Sequence, residues 1–213
     1  MITVKIKICG ITNLDDALAA VDMGADILGF NFYPKSPRYI EPDKAEEIIS
    51  KLPSFVDTAG VFVDATLLDI QKLTHPGLLS WVQFHGNESP EFCSQFNVWG
   101  LHTIKAIRVR SAEDIQRAQV YQTYSLLLDT FDPELYGGTG KTFDWSLIKD
   151  CPCRIFLAGG LTPDNITKSL EVDIYGLDIC SGIESEPGKK DHQKMKQLFD
   201  NIYNYTGIKV YKK

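Results

Sequence analysis

Lys5-Ile6-Lys7-Ile8-Cys9-Gly10, followed by Asn13-Leu14-Asp15-Asp16-Ala17-Leu18-Ala19-Ala20-Val21 and then Gly24, contains the repeating unit of the whole chain. The first half alternates, with Val4, Ile6 and Ile8 on one face and Lys5, Lys7 and Cys9 on the other, which is the period of a β-strand. The second half changes to helical spacing. Asn13 is an N-cap residue, Asp15 and Asp16 place carboxylates in the first turn, where the helix dipole favours them, and Gly24 supplies the residue that ends the helix. The alternation of Lys5, Lys7 and Cys9 points these side chains into whatever the strand encloses, while its apolar face meets the helix.

Outward from this unit, apolar runs of the same kind begin near Val4, Ile27, Thr58, Trp81, Thr103, Ser125, Arg154 and Ile174. Their mean spacing of about 24 residues suits one strand, one helix and two short loops. Pro42-Asp43 opens a helix predicted over 42–51, and Ser111 caps Ala112-Glu113-Asp114-Ile115 in a capping-box pattern with Asp in place of Glu. Thr162-Pro163-Asp164 reads as a helix start with Pro in the first position, and the last long helix is predicted from about 191 to 205. Alternating strands and helices imply a parallel sheet covered by helices, and eight units favour closure into a (β/α)8 TIM barrel. The rival doubly wound open sheet usually needs only five or six strands. No linker or shift in composition interrupts the series, so residues 1–213 read as a single domain.

The 213 residues carry 22 Lys and Arg against 28 Asp and Glu, a formal charge of −6, with 44% hydrophobic residues. That is enough apolar content to bury a core, which argues against disorder. An acidic chain with no basic run longer than Lys212-Lys213 argues against a nucleic-acid partner. No apolar stretch is long enough to span a membrane, and charges interrupt the region where a signal peptide would be apolar, so the expected location is the cytoplasm. Five cysteines at 9, 93, 151, 153 and 180 form no disulfide framework expected of a reducing compartment, and Cys151-Pro-Cys153 has no second pair with which to build a zinc site, so no metal is expected there.

In such a barrel the chemistry sits at the carboxyl ends of the strands. Lysines facing a barrel interior are costly to bury without partners, so Lys7 beside the thiol of Cys9 marks a candidate site, although interior carboxylates alone would account for Lys5 and Lys7. Leu126-Leu127-Leu128-Asp129 ends the sixth strand on a carboxylate and is followed by a long loop rather than a helix for it to cap. That loop holds Gly137-Gly138-Thr139-Gly140-Lys141-Thr142. It is not a nucleotide P-loop, because the required earlier glycine is replaced by Leu135; a mobile lid is the expectation. Gly159-Gly160 after the seventh strand and Ser181-Gly182 after the eighth stand where barrels hold a phosphate on backbone N–H groups, though tight turns alone also use glycine. Arg38, in the stiff segment Pro34-Lys35-Ser36-Pro37-Arg38, is suited to a bidentate grip on a carboxylate. Gln83 and His85 end the fourth strand on one face.

Together these segments resemble the phosphoribosylanthranilate isomerase family. The resemblance rests on Lys7-Ile8-Cys9-Gly10-Ile11-Thr12, Gly29-Phe30 through Ser36-Pro37-Arg38, Gln83-Phe84-His85-Gly86, Leu128-Asp129, Gly138-Thr139-Gly140-Lys141-Thr142-Phe143-Asp144-Trp145, Ala158-Gly159-Gly160-Leu161 and Asp178-Ile179-Cys180-Ser181-Gly182-Ile183-Glu184, in order along nearly the whole chain. The family usually has Ser where Cys180 stands. The resemblance implies an Amadori rearrangement of a small phosphosugar without a cofactor, in a monomer or homodimer. It makes Asp129 the general acid that opens the sugar ring and Cys9 the base that removes the C2 proton, with Asp129 required to keep a proton near neutrality and Lys7 favouring the Cys9 thiolate. Gly159, Gly160, Ser181 and Gly182 would hold the phosphate, Arg38 the anthranilate carboxylate, and Asp178 the bridging amine or a neighbouring hydroxyl, with Gln83 and His85 as further substrate contacts. Two rivals are a metal-dependent sugar-phosphate epimerase using His85, Asp129 and Asp178, and a phosphosugar-binding barrel without activity.

Overall fold

The computed structural model describes residues 4–74, 77–131, 142–149 and 151–207. Eight parallel strands close into a barrel: β1 (Lys5–Cys9), β2 (Ile27–Asn31), β3 (Asp57–Phe62), β4 (Trp81–Phe84), β5 (His102–Val109), β6 (Ser125–Thr130), β7 (Ile155–Leu157) and β8 (Gly176–Ile179). Each strand pairs with its neighbour in sequence, and β8 returns to β1 with Lys7 opposite Asp178 and Ile8 opposite Ile179. The eight runs expected from the sequence are thus the eight strands.

The helices between them are α1 (Leu14–Met23), α2 (Pro42–Ile49), α3 (Leu67–Thr74), α4 (Pro90–Ser94), α5 (Ala112–Ala118), α6 (Ile166–Ser169) and, after β8, α7 (His192–Thr206). The end signals act as expected at α1: the Asn13 side chain accepts from Asp16 N, and Gly24 adopts φ +109° while its N–H bonds back to the last turn. The Asp114 carboxylate likewise accepts from the backbone N–H of Ser111 at 3.3 Å. At the start expected from Thr162-Pro163, Ile166 N donates to the Thr162 carbonyl at 3.0 Å, the bond of a first helical turn, and the Asn165 side chain accepts from Thr162 N at 2.8 Å as in a capping box, while also donating to the Gly160 carbonyl at 2.8 Å. The regular helix that follows is short, Ile166–Ser169.

Two layers fill the molecule. Ile6, Ile8, Leu28, Phe30, Leu126, Leu128, Leu177 and Ile179 point outward onto the helices, packing with Ala17, Ile48, Met195 and Phe199. The barrel interior is filled by Ile27, Ala59, Trp81, Ile104, Leu127 and Phe156. Trp81 meets Phe156 edge-on at 5.9 Å and Tyr124 at 5.2 Å, and stacks on His102 at 4.5 Å. Truncating an aromatic residue in such a packed interior costs about 3–5 kcal/mol, so this plug is a large share of the barrel's stability and closes the end away from the site.

A short antiparallel hairpin, β9 (Glu184–Glu186) with β10 (Lys189–Lys190), follows the 3-10 turn Ser181–Ile183. It is absent from the strand-and-helix count because two- and three-residue strands leave no periodic pattern. Buried Asp16 of α1 ties it down by accepting from Lys190 N at 2.7 Å, and the Thr12 hydroxyl donates to the Gly188 carbonyl.

Candidate active site

The carboxyl ends of the strands open into a cleft that is continuous with solvent. Cys9, at the end of β1, and Asp129, near the end of β6, both line it, with β7 and β8 between them around the barrel. Asp178, Gln83, His85 and Arg38 line the same cleft, as do Gly159, Gly160, Ser181 and Gly182. Lys7 lies beneath this floor, fully buried, and reaches the site through Asp178. Lys5 does not join it: it pairs with Asp26 at 3.2 Å and is partly exposed.

On the β1–β8 side, Lys7 Nζ donates to Asp178 Oδ1 at 2.7 Å, with the two side chains 0% and 8% exposed. Burial disfavours the Lys7 ammonium, but the charges of Asp178 and Cys9 overcome it and hold the pKa above the ordinary lysine value. Burial also lifts Asp178, whose pKa is pushed up to about 7 despite the opposing charge of Lys7. Cys9 is shifted the other way. A hydrogen bond with Cys180 and the charges of Lys7 and Lys190 outweigh burial, so the Cys9 thiol ionises well below its ordinary value. The surroundings of Cys9 therefore favour its thiolate, and Lys7 is one of the causes.

Across the cleft, the Gln83 side-chain nitrogen lies 3.1 Å from His85 Nδ1, and His85 Nε2 lies 3.5 Å from Asp129 Oδ2. The other oxygen of Asp129 accepts from Thr130 N at 2.8 Å, which fixes the carboxyl's orientation at the strand end. Among the described residues, buried Gln83 Oε1 and His85 Nε2 have no hydrogen-bond partner.

The two glycine loops meet each other at this rim. A side chain on Gly182 would run into the Leu161 carbonyl, and one on Gly159 into Thr130 and Asp129. Gly159 and Gly160 both have positive φ, +84° and +63°. The backbone of these loops can approach a ligand closely because nothing projects from it. Among the described residues no three His, Cys, Asp or Glu side chains form a group able to hold a metal ion.

A family model described as N-(5′-phosphoribosyl)anthranilate (PRA) isomerase matches residues 6–201. The chain belongs to the phosphoribosylanthranilate isomerase family. The N-(5′-phosphoribosyl)anthranilate isomerase of Geotalea uraniireducens is 46% identical over 197 residues, covering 91% of this chain and 96% of the relative. The phosphoribosyl anthranilate isomerase structure from Thermotoga maritima superposes with a TM-score of 0.87 at 44% identity, covering 97% of this chain and 100% of the other. A further solved structure of the enzyme, in complex with reduced 1-(o-carboxyphenylamino)-1-deoxyribulose 5-phosphate, gives a TM-score of 0.85 at 40% identity, with 97% and 100% coverage. Membership makes the chain an isomerase, with the barrel expected from its sequence.

Arg38 lines the cleft and already has a carboxylate partner within the protein. Its guanidinium is bonded by Glu184, with Nη2–Oε2 at 2.7 Å and Nε–Oε1 at 3.0 Å. A nearly buried guanidinium is stable there only with such a partner. Two residues of this network gave no signal in sequence. Glu184 closes a motif with no pattern of its own, and Lys190 sits in an ordinary Lys-Lys pair. Yet Lys190 is fully buried, donating to Glu184 Oε1 at 2.9 Å and to the Cys9 carbonyl at 2.6 Å. Asn31 and Ser36 also line the cleft. Ser36 Oγ accepts from Asn31 Nδ2 and Arg38 N, both at 3.1 Å, and shapes the turn that presents Arg38. Residues 138–141, the centre of the predicted lid, lie outside the described residues.

Proposed function

We propose that this cleft catalyses the cofactor-free Amadori rearrangement of N-(5′-phosphoribosyl)anthranilate to 1-(2-carboxyphenylamino)-1-deoxyribulose 5-phosphate, with Asp129 as general acid and Cys9 as general base. The observation that carries the reading is the placement of an ionisation-prone thiol and a strand-end carboxyl in one cleft, on either side of the two glycine loops. Backbone amides of Gly159, Gly160 and Gly182, with Ser181, hold the phosphate. Arg38 supplies positive charge for the anthranilate carboxylate through the part of its guanidinium that Glu184 leaves open. Asp129 gives its proton to the ring oxygen as the C1–O bond breaks, and the nitrogen lone pair forms the protonated Schiff base. The Cys9 thiolate takes the C2 proton to form the enol, and ketonisation returns a proton to C1. Asp178, anchored by Lys7, accepts from the amine or a neighbouring hydroxyl.

A second assignment of the acid is favoured by one observation: Asp178, not only Asp129, is a carboxyl of this cleft, and its pKa of about 7 lets it carry a proton at neutrality. The test is the fading fluorescence of phosphoribosylanthranilate on adding the purified, metal-free protein, with variants. Cys9→Ala and Asp129→Asn are expected to lower kcat by ~10²–10⁴ and Arg38→Met chiefly to raise KM. Near-normal turnover in Asp129→Asn transfers the acid to Asp178, and absence of turnover in the parent protein removes the function.

A further inference from the structure

Gln83 of β4 and His85, two positions further on, share the face of the chain that lines the cleft. The His85 N–H donates to the Phe62 carbonyl at 2.8 Å, so the β3–β4 ladder fixes this residue as firmly as the strand itself. Both side chains are buried, 1% and 8% exposed, and their polar atoms must find partners inside the protein. Gln83 Nε2 lies 3.1 Å from His85 Nδ1. An amide nitrogen can only donate, so Nδ1 is the accepting nitrogen, and a neutral ring then carries its hydrogen on Nε2. That second nitrogen is buried, has no hydrogen-bond partner among the described residues, and faces Asp129 Oδ2 at 3.5 Å. The Gln83 carbonyl oxygen is likewise buried and unpartnered among them. Such an oxygen is a cost to folding, so stability does not account for an amide at this place.

We propose that Gln83 is a positioning residue that acts through His85 on Asp129, holding the imidazole as the Nε2–H tautomer with that hydrogen directed at Asp129 Oδ2. This rests on Asp129 being the acid. Thr130 N already donates to Asp129 Oδ1 at 2.8 Å. As Asp129 releases its proton to the ring oxygen of the sugar, negative charge develops on both carboxyl oxygens, and each then has an N–H directed at it. A separation of 3.5 Å is loose for the resting acid and shortens as that charge appears. The other tautomer would do the opposite: a bare Nε2 would accept the Asp129 proton and withhold it from the sugar. His85 keeps its own hydrogen throughout, and Gln83 exchanges none.

The readout is the nitrogen NMR spectrum of the His85 ring in the labelled full chain, assigned by its loss in His85→Phe and recorded above the ordinary histidine range. Unmoved signals of His102, which stacks on Trp81, and of His192, which pairs with Asp16, show that each variant is folded. The parent should show Nε2 protonated and Nδ1 bare. Gln83→Glu puts an acceptor where the donor was and should move the hydrogen to Nδ1, with kcat at least about tenfold lower and KM little changed. Gln83→Met removes the donor without supplying an acceptor, and should show both tautomers with a smaller fall in kcat. In the His85→Phe background the Gln83→Met exchange should cost nothing further, because its route to Asp129 is gone. A parent ring protonated at Nδ1, a ring spectrum unchanged in Gln83→Glu, or an equal kcat loss from Gln83→Met with and without the imidazole each overturns the proposal. Ring spectra that follow the expectation while Asp129→Asn keeps near-normal turnover would instead fault the acid assignment.

Discussion

Two residues of β1 show how one strand face builds a reactive group. Lys7 cannot reach water, so its charge is spent on Asp178 and Cys9. Replacing it by Met removes one cation from the Cys9 thiolate. The variant is expected to fold, because Asp178 already accepts a proton near pH 7 and can become neutral when its partner is lost. The alkylation profile of Cys9 should then move to higher pH, and superimposable parent and Lys7→Met profiles would deny Lys7 its role. Asp178 gives a second prediction with a sign. If it acts as the carboxylate acceptor proposed above, kcat/KM falls as pH drops below about 7, since protonation removes the acceptor. If it is instead the acid, kcat/KM falls as pH rises above that value. In Asp178→Asn the corresponding limb disappears, and a limb that persists belongs to another group.

The elements on which the phosphate proposal turns are the loops after β7 and β8, which press directly on each other. Gly182 passes directly over the Leu161 carbonyl, so Gly182→Ala must push the two loops apart. The expected result is a rise in KM of at least about tenfold for the phosphorylated substrate with kcat less affected, because misplaced donors lose binding energy first. Gly77 is the control, with φ +74° and open space around it. Its alanine variant carries only backbone strain and should leave KM unchanged. Equal KM in the parent and Gly182→Ala would show that these loops do not hold the phosphate. The extent of such elements was legible where local signals suffice. Asn13, Gly24 and Ser111 marked helix ends because their side chains or conformation act on their own backbone. At α6, Thr162 and Pro163 marked the first turn, whose bond from Ile166 N to the Thr162 carbonyl is local, while how short the regular helix is, Ile166–Ser169, left no signal of its own.

At the scale of the molecule, barrel closure at β1–β8 is reinforced by the hairpin that carries Glu184 and Lys190 under the cleft. Burial raises the Glu184 pKa, but hydrogen bonds and charges from Arg38 and Lys190 more than offset this, and it is held below the ordinary glutamate value. The unfolded chain therefore takes up this proton first as pH falls. The stabilisation is present above the ordinary carboxylate range and is lost as pH drops through the lowered folded-state value. Urea unfolding from pH 7 down to pH ~3 should show this acid loss in the parent and a shallower one in Glu184→Gln. The variant should also be weaker at pH 7 by about 3–5 kcal/mol, since two buried cations lose their counter-charge. Superimposable stability curves for parent and variant would mean that the network contributes nothing to folding.

The sequence by itself determined the eight-unit barrel, the order of its strands, and the set of side chains brought to one rim, because strand alternation, helix caps and loop glycines act over a few residues. Only the tertiary structure decided which of those side chains are partners. Asp178 meets Lys7 across 171 positions of chain, Arg38 meets Glu184 across 146, and Lys190 reaches the carbonyl of Cys9 across 181. Such pairings are set by closure of the sheet and by the fold-back of a hairpin too short to leave a period. The shifts they impose on Cys9 and Asp178 are properties of the assembled rim, where side chains are buried and neighbouring charges act at close range.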